Sequence, residues 1–143
     1  MEKAVCIALD PDFCKFELCE LKPNEENIPA FSMILRLLQL PLANVIVTTE
    51  IYYQTSLLTN RTIDGCTFLK NRRRNPSFVL IYNLIEKNSN VNHTCPFNHD
   101  LRVYDIAPKK FAMPLPTGKY IIKSGYTVSD KKRFQFDFTM KVF

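Results

Sequence analysis

The sequence predicts a mainly β fold: a two-sheet antiparallel β-sandwich, an immunoglobulin-like cup, with one short helix. Three observations carry that prediction. The run RFQFDFTMKVF (133–143) alternates strictly, with Phe134, Phe136, Phe138, Met140 and Val142 on one side and Arg133, Gln135, Asp137, Thr139 and Lys141 on the other. A period of two with one apolar face marks a half-buried antiparallel strand. Several other short runs are rich in β-branched and aromatic residues and are separated by turn residues. Only one segment, NPSFVLIYNLIEK (75–87), has helical spacing. Roughly six to eight strands with one helix suit a single sandwich domain over residues 1–143.

The elements follow in order. AVCIAL (4–9) and KFELCELK (15–22) are short strands joined by the turn Asp10-Pro11-Asp12. FSMILRLLQL (31–40) puts Phe31, Met33, Leu35 and Leu37 on one face, and Pro41 closes it. NVIVTTEIYY (44–53) is β-branched and aromatic, a further strand. In 75–87, Asn75 is a candidate cap and Pro76 suits the first helical position. Phe78, Ile81, Tyr82 and Ile85 then share a helical face of about three turns. LRVYDI (101–106) is a strand. GKYIIKSGYTVSD (118–130) is another, turning at Ser129-Asp130 into the C-terminal strand, with Lys131-Lys132-Arg133 near the hairpin tip.

Composition narrows the function classes. Hydrophobic residues make up 46% and charged residues 23%, a globular balance. With only 3 glycines, no glycine-rich phosphate loop can be assembled, and neither GxGxxG nor GxxxxGK[ST] occurs. No apolar run reaches the about 18 residues of a membrane span. The first residues, MEKAVCIALD, lack the charged and apolar regions of a secretory leader.

The stretch VNHTCPFNHD (91–100) gathers His93, Cys95, His99 and Asp100. A zinc site there would need four ligands in a tetrahedron, and no CxxC pair supports one. A Cys–His nucleophile needs an orienting third group, and no glycine-lined elbow surrounds Cys95. The same stretch contains the N-glycosylation sequon Asn92-His93-Thr94, and Asn60-Arg61-Thr62 is a second. Sequons and cysteines together favour an oxidising compartment and a half-cystine at Cys95. Five cysteines leave at least one without an intrachain partner. The expected pairing is Cys6–Cys19, stapling an N-terminal hairpin, and Cys66–Cys95, tying together the segments that flank the helix. Cys14 is then left over. Each bond stabilises by roughly 3 kcal/mol through loop closure. Sequence does not fix the connectivity, and a Cys14–Cys19 bond would refute it.

The net charge is +5, and much of the excess sits in KNRRR (70–74) and KKR (131–133). Arg72, Arg73 and Arg74 are candidates for an anion contact, against the alternative of a solvated loop. Nucleic acid is not expected as a partner, because stacking on bases needs exposed aromatics and these phenylalanines alternate as buried strand residues do.

DGCTFLKNRRRNPSFVLIYNLIEKNSNVNHTCPFNHDLRV, with CIALDPDFCKFELCELK before it and LPTGKYIIKSGYTV after it, resembles a large insect family of small secreted proteins. That family is a former domain of unknown function related to chemosensory proteins of the ganglioside-activator type. The GCTF, CPF and TGKY segments are similar to corresponding segments of the activator, within the wider lipid-recognition β-sandwich group. The resemblance implies two antiparallel sheets holding a lipid, a secretory leader, and no catalysis. It places Cys6, Cys19, Cys66 and Cys95 on the family's usual cysteines and Cys14 where an aliphatic residue is usual.

The function expected is therefore a secreted, non-enzymatic binder or carrier of a lipid or lipid-like signal, with chemosensation among the roles the resemblance implies, and with no cofactor and no metal. The candidate apolar lining is Phe31, Met33, Leu35, Val45, Val47, Phe134, Phe136, Phe138 and Met140. Phe and Met supply large and adaptable apolar surface, and splayed sheets admit acyl chains at roughly 0.8 kcal/mol per buried CH₂. The same residues would equally fill a dry core. In that case the protein is a secreted interaction module that engages a receptor, another protein or a membrane surface from outside.

Overall fold

A computed structural model describes residues 2–107 and 115–142. The chain forms a two-sheet antiparallel β-sandwich from eight strands among the described residues. They are β1 (Lys3–Ala8), β2 (Cys14–Pro23), β3 (Pro29–Leu37), β4 (Ile46–Tyr53), β5 (Ser56–Asp64), β6 (Leu101–Ile106), β7 (Gly118–Val128) and β8 (Lys131–Val142). Two helices, α1 (Gly65–Lys70) and α2 (Pro76–Ile85), lie between β5 and β6.

The larger sheet runs β1-β8-β7-β4-β5 and the smaller β2-β3-β6. The β8 alternation sets the register. Phe134, Phe136, Phe138 and Met140 stand opposite Tyr126, Ser124, Ile122 and Tyr120 of β7, which themselves pair with Val47, Thr49, Ile51 and Tyr53 of β4. That row is the inner face. It packs on Phe31, Met33, Leu35 and Leu37 of β3 and on Leu101, Val103 and Ile106 of β6, all buried. The β7–β8 turn is made by Ser129 and Asp130, both at positive φ (52° and 62°), as a two-residue hairpin turn requires.

Two expectations are corrected. β1 and β2 do not form a hairpin. β1 pairs with β8 and β2 with β3, so the Cys6–Cys19 bridge, which is present with Cα atoms 6.2 Å apart, joins one sheet to the other. A five-residue connection through the Asp10 turn swings the chain across the sandwich edge instead of folding it back in plane. In α2, Asn75 and Pro76 take the first two positions as read, but the Asn75 side chain makes no capping bond. The helix buries Tyr82, while Ile81 is 38% exposed. Over ten residues the buried stripe is Phe78, Tyr82 and Ile85, spaced four and three apart, and Ile81 lies to one side of it.

Two elements were not expected. Among the described residues β5 pairs only with β4, and it is exposed on both faces except at Thr59 and Ile63, so it lacks alternation to read. α1 is six residues long, too short for a period, and is started by Asp64, whose Oδ1 accepts from the Thr67 N–H at 3.0 Å.

Candidate apolar ligand site

The inner face has two unlike halves. Where β8 and β1 face β2 and β3, the side chains close on one another. Leu35 is fully buried and Phe134 only 2% exposed. Phe16 meets Phe136 edge-on at 5.4 Å, Phe31 meets Phe138 at 5.0 Å, and Tyr126 stacks on Phe134 at 4.6 Å. Such ring pairs contribute about 0.5–1.5 kcal/mol each beyond their burial. Burial also pushes the Tyr126 hydroxyl up to about 12, so it stays protonated within the layer. Of the nine residues expected to line a cavity, Phe31, Met33, Leu35, Phe134 and Phe136 belong to this filled half, and Val45 and Met140 are also buried, Met140 across from Tyr120.

The larger sheet has five strands and the smaller three among the described residues. Val47, Ile51, Ile122 and Phe138 project inward from β4, β7 and β8, yet each is only half-buried. Phe138 and Val47 are thus the two expected residues that reach this flank. Ile51 and Ile122 were missed. Ile51 continues the Val45, Val47, Thr49 alternation of its strand, and Ile122 sits two residues from buried Tyr120, so parity alone locates both. The lower end is closed by Tyr53 and Tyr120, whose rings meet at 5.1 Å. Their hydroxyls donate to the carbonyls of Thr117 (2.7 Å) and Pro116 (2.9 Å). Gly118, at φ 147°, passes so close to the Tyr53 ring that an added Cβ would lie 2.9 Å from it, which fixes glycine there.

The stretch 91–100 is a pinned loop. Cys95 is bonded to Cys66, with Cα atoms 5.5 Å apart. The Asp100 carboxylate accepts from the Leu37 N–H at 3.0 Å. His93 and His99 do converge, with Nε2 atoms 2.8 Å apart and both rings against buried Phe97. Two of the four hypothetical zinc ligands are therefore committed elsewhere, and no group of three or more His, Cys, Asp or Glu could hold a metal among the described residues.

In the basic run, Arg72 donates to Glu86 at 3.0 Å and lies over the Tyr82 ring at 4.5 Å, which ties the start of α2 to its end. Arg73 and Arg74 are the exposed members. Asn60 is exposed on β5, and Asn92 is exposed in the pinned loop. Cys14, the leftover cysteine, is buried beside Asp10; burial, with the Asp10 charge adding to it, pushes its thiol up to about 11.

A family profile described as "Protein of unknown function (DUF1091)" matches residues 43–122, more than half of the chain. The match includes the half-buried flank of β4, both helices and the Cys66–Cys95 bridge. No curated protein matches the chain.

Proposed function

This chain belongs to the DUF1091 family, proteins of unknown function, and from that premise we propose that it is a secreted, non-enzymatic binder or carrier of a hydrophobic ligand such as a lipid or lipid-like signal. The observation that carries the reading is the five-on-three mismatch of the sheets. It leaves Ile51 and Ile122 pointing inward but half-buried, next to Val47 and Phe138, which are half-buried at the edge of the packed ring layer. An acyl chain lying along this flank would gain roughly 0.8 kcal/mol per CH₂ withdrawn from water. Two disulfides support an oxidising destination. Kinship with the ganglioside-activator type of lipid-recognition sandwich, an insect origin and a chemosensory role belong to the same proposal; they rest on the GCTF, CPF and TGKY segments.

The test is native mass spectrometry of the protein recovered from a secreting eukaryotic host, followed by titration with a fluorescent fatty acid. A co-purifying lipid, or saturable uptake at one site, is the expected result. Failure to retain or load any of a panel of fatty acids, sterols and hydrocarbons would overturn the reading. A second reading, a secreted module that engages a protein or membrane surface, is favoured by the exposed Leu57 and Leu58 on edge strand β5 (52% and 59%). Binding to a receptor with no lipid uptake would select it.

A further inference from the structure

Edge strand β5 presents a hazard and, two residues past its leucines, an answer to it. The strand is nine residues long, SLLTNRTID, and contains no proline and no lysine. It pairs with β4 alone, so its outer row of N–H and C=O groups has no strand beside it among the described residues. Leu57 and Leu58 are more than half exposed. A long exposed edge that carries two uncovered leucines is a template for another strand. Its one cation, Arg61, is exposed and lies over the Phe78 ring at 5.9 Å.

The sequon Asn60-Arg61-Thr62 falls wholly inside this strand, with Asn60 at its centre. Asn60 pairs with Glu50 and Thr62 with Thr48, on the outer face of the sheet, where the Thr48 and Thr62 hydroxyls lie 3.2 Å apart. Asn60 is exposed. We propose that Asn60 carries an N-linked oligosaccharide and that this sugar screens the β5 edge, preventing pairing with β5 of a second copy. The inference rests on the secretory reading above. The donor is a polyprenyl-diphosphate-linked oligosaccharide. The bond from Asn60 Nδ2 to the sugar C1 forms, the C1–O bond to the diphosphate breaks, the amide gives up one proton to base, and the polyprenyl diphosphate leaves. A hydrated, branched polymer anchored mid-strand then sweeps the approach that an incoming strand needs.

The second sequon makes the test self-controlled. The full chain is directed into the secretory pathway of a eukaryotic host as wild type, Asn60→Gln, Asn92→Gln and Thr62→Ser. Occupancy is read by intact mass before and after N-glycosidase treatment, and association by size exclusion with light scattering. Sugar at Asn60 in the wild type and in Thr62→Ser is expected. Asn60→Gln is expected to shift from monomer to dimer or larger species, whereas Asn92→Gln stays monomeric. Adding Leu58→Lys to Asn60→Gln restores the monomer, because a charge on the edge does the sugar's work. Should Asn60→Gln fold poorly, trimming the folded wild type to its first sugar with an endoglycosidase and following its association gives the same answer. Sugar at Asn92 with none at Asn60 overturns this inference and leaves the secretory reading standing; none at either site overturns both. An unchanged monomer after loss of the Asn60 sugar overturns the screening role.

Discussion

Asp10 is a carboxylate held almost out of water by two cations. It is 5% exposed, and its oxygens receive Arg133 and Lys131, the latter at 3.3 Å. The Arg133 guanidinium holds its pKa below the ordinary carboxylate value, against the opposing effect of burial. A folded value below the unfolded value of about 3.9 stabilises the fold above that pH. The contribution is lost as pH falls through the folded value. Arg133→Met is therefore expected to move the acid-unfolding midpoint to higher pH, as near-ultraviolet circular dichroism of the tyrosines would register. An unchanged midpoint would show the pair to be inert. The neighbouring Cys14 thiol, raised to about 11 by burial and 1% exposed, is expected to resist a thiol reagent at pH 8 in the folded protein and to react on unfolding. At this scale the sequence showed Asp10 only as a turn residue. Its partner lies 123 positions away, and nothing local announces a pairing at that distance.

Strand β8 was legible because half of it faces the core and half does not. The alternation of Phe134, Phe136, Phe138 and Met140 is the pleat written in side chains. Phe136 touches Phe16, Phe31 and Tyr126 edge-on. Phe136→Ala is expected to cost about 3–5 kcal/mol, a drop in melting temperature of roughly 10–15 °C, measurable by calorimetry. A loss below about 1 kcal/mol would mean the ring layer is loosely packed. β5 was illegible for the converse reason. An edge strand wet on both sides has no apolar period, and its leucines, asparagine and arginine read as loop. α1 was illegible because a six-residue helix depends on its cap and on the Cys66 bridge more than on periodicity. The half-buried flank was partly legible: Val47 and Phe138 were anticipated, and Ile51 and Ile122 share their face by strand parity. What no local pattern reveals is how many strands the opposite sheet has, and that number decides which inward side chains stay half-covered.

The whole molecule is governed by unequal layers and by where covalent bonds join them. Cys6–Cys19 clamps sheet to sheet at the β1–β2 margin, while Cys66–Cys95 secures the helical segment beside β6. The larger sheet is thus tied to the smaller at one margin and has two more strands than it among the described residues. If ligand lies along the half-buried stretch of β4 and β7, Ile122→Ala is expected to weaken fatty-acid binding by about 1–2 kcal/mol through lost apolar contact, with a smaller drop in melting temperature than Phe134→Ala gives in the absence of ligand. Phe134→Ala, in the filled half, would reverse that pattern. Equal loss of binding from both substitutions would argue against a site on this flank.

The pairing of the first strand with the last has a practical outcome. Lys3 stands directly across from Thr139, so the chain enters and leaves the molecule on neighbouring ribbons of one sheet. A short flexible tether between those ends, with new termini cut at the Gln54–Thr55 turn, keeps every strand partner and both sulfur bridges. Such a rewired chain is expected to fold, with its free ends relocated beside the proposed ligand flank, where a reporter dye would sense loading directly.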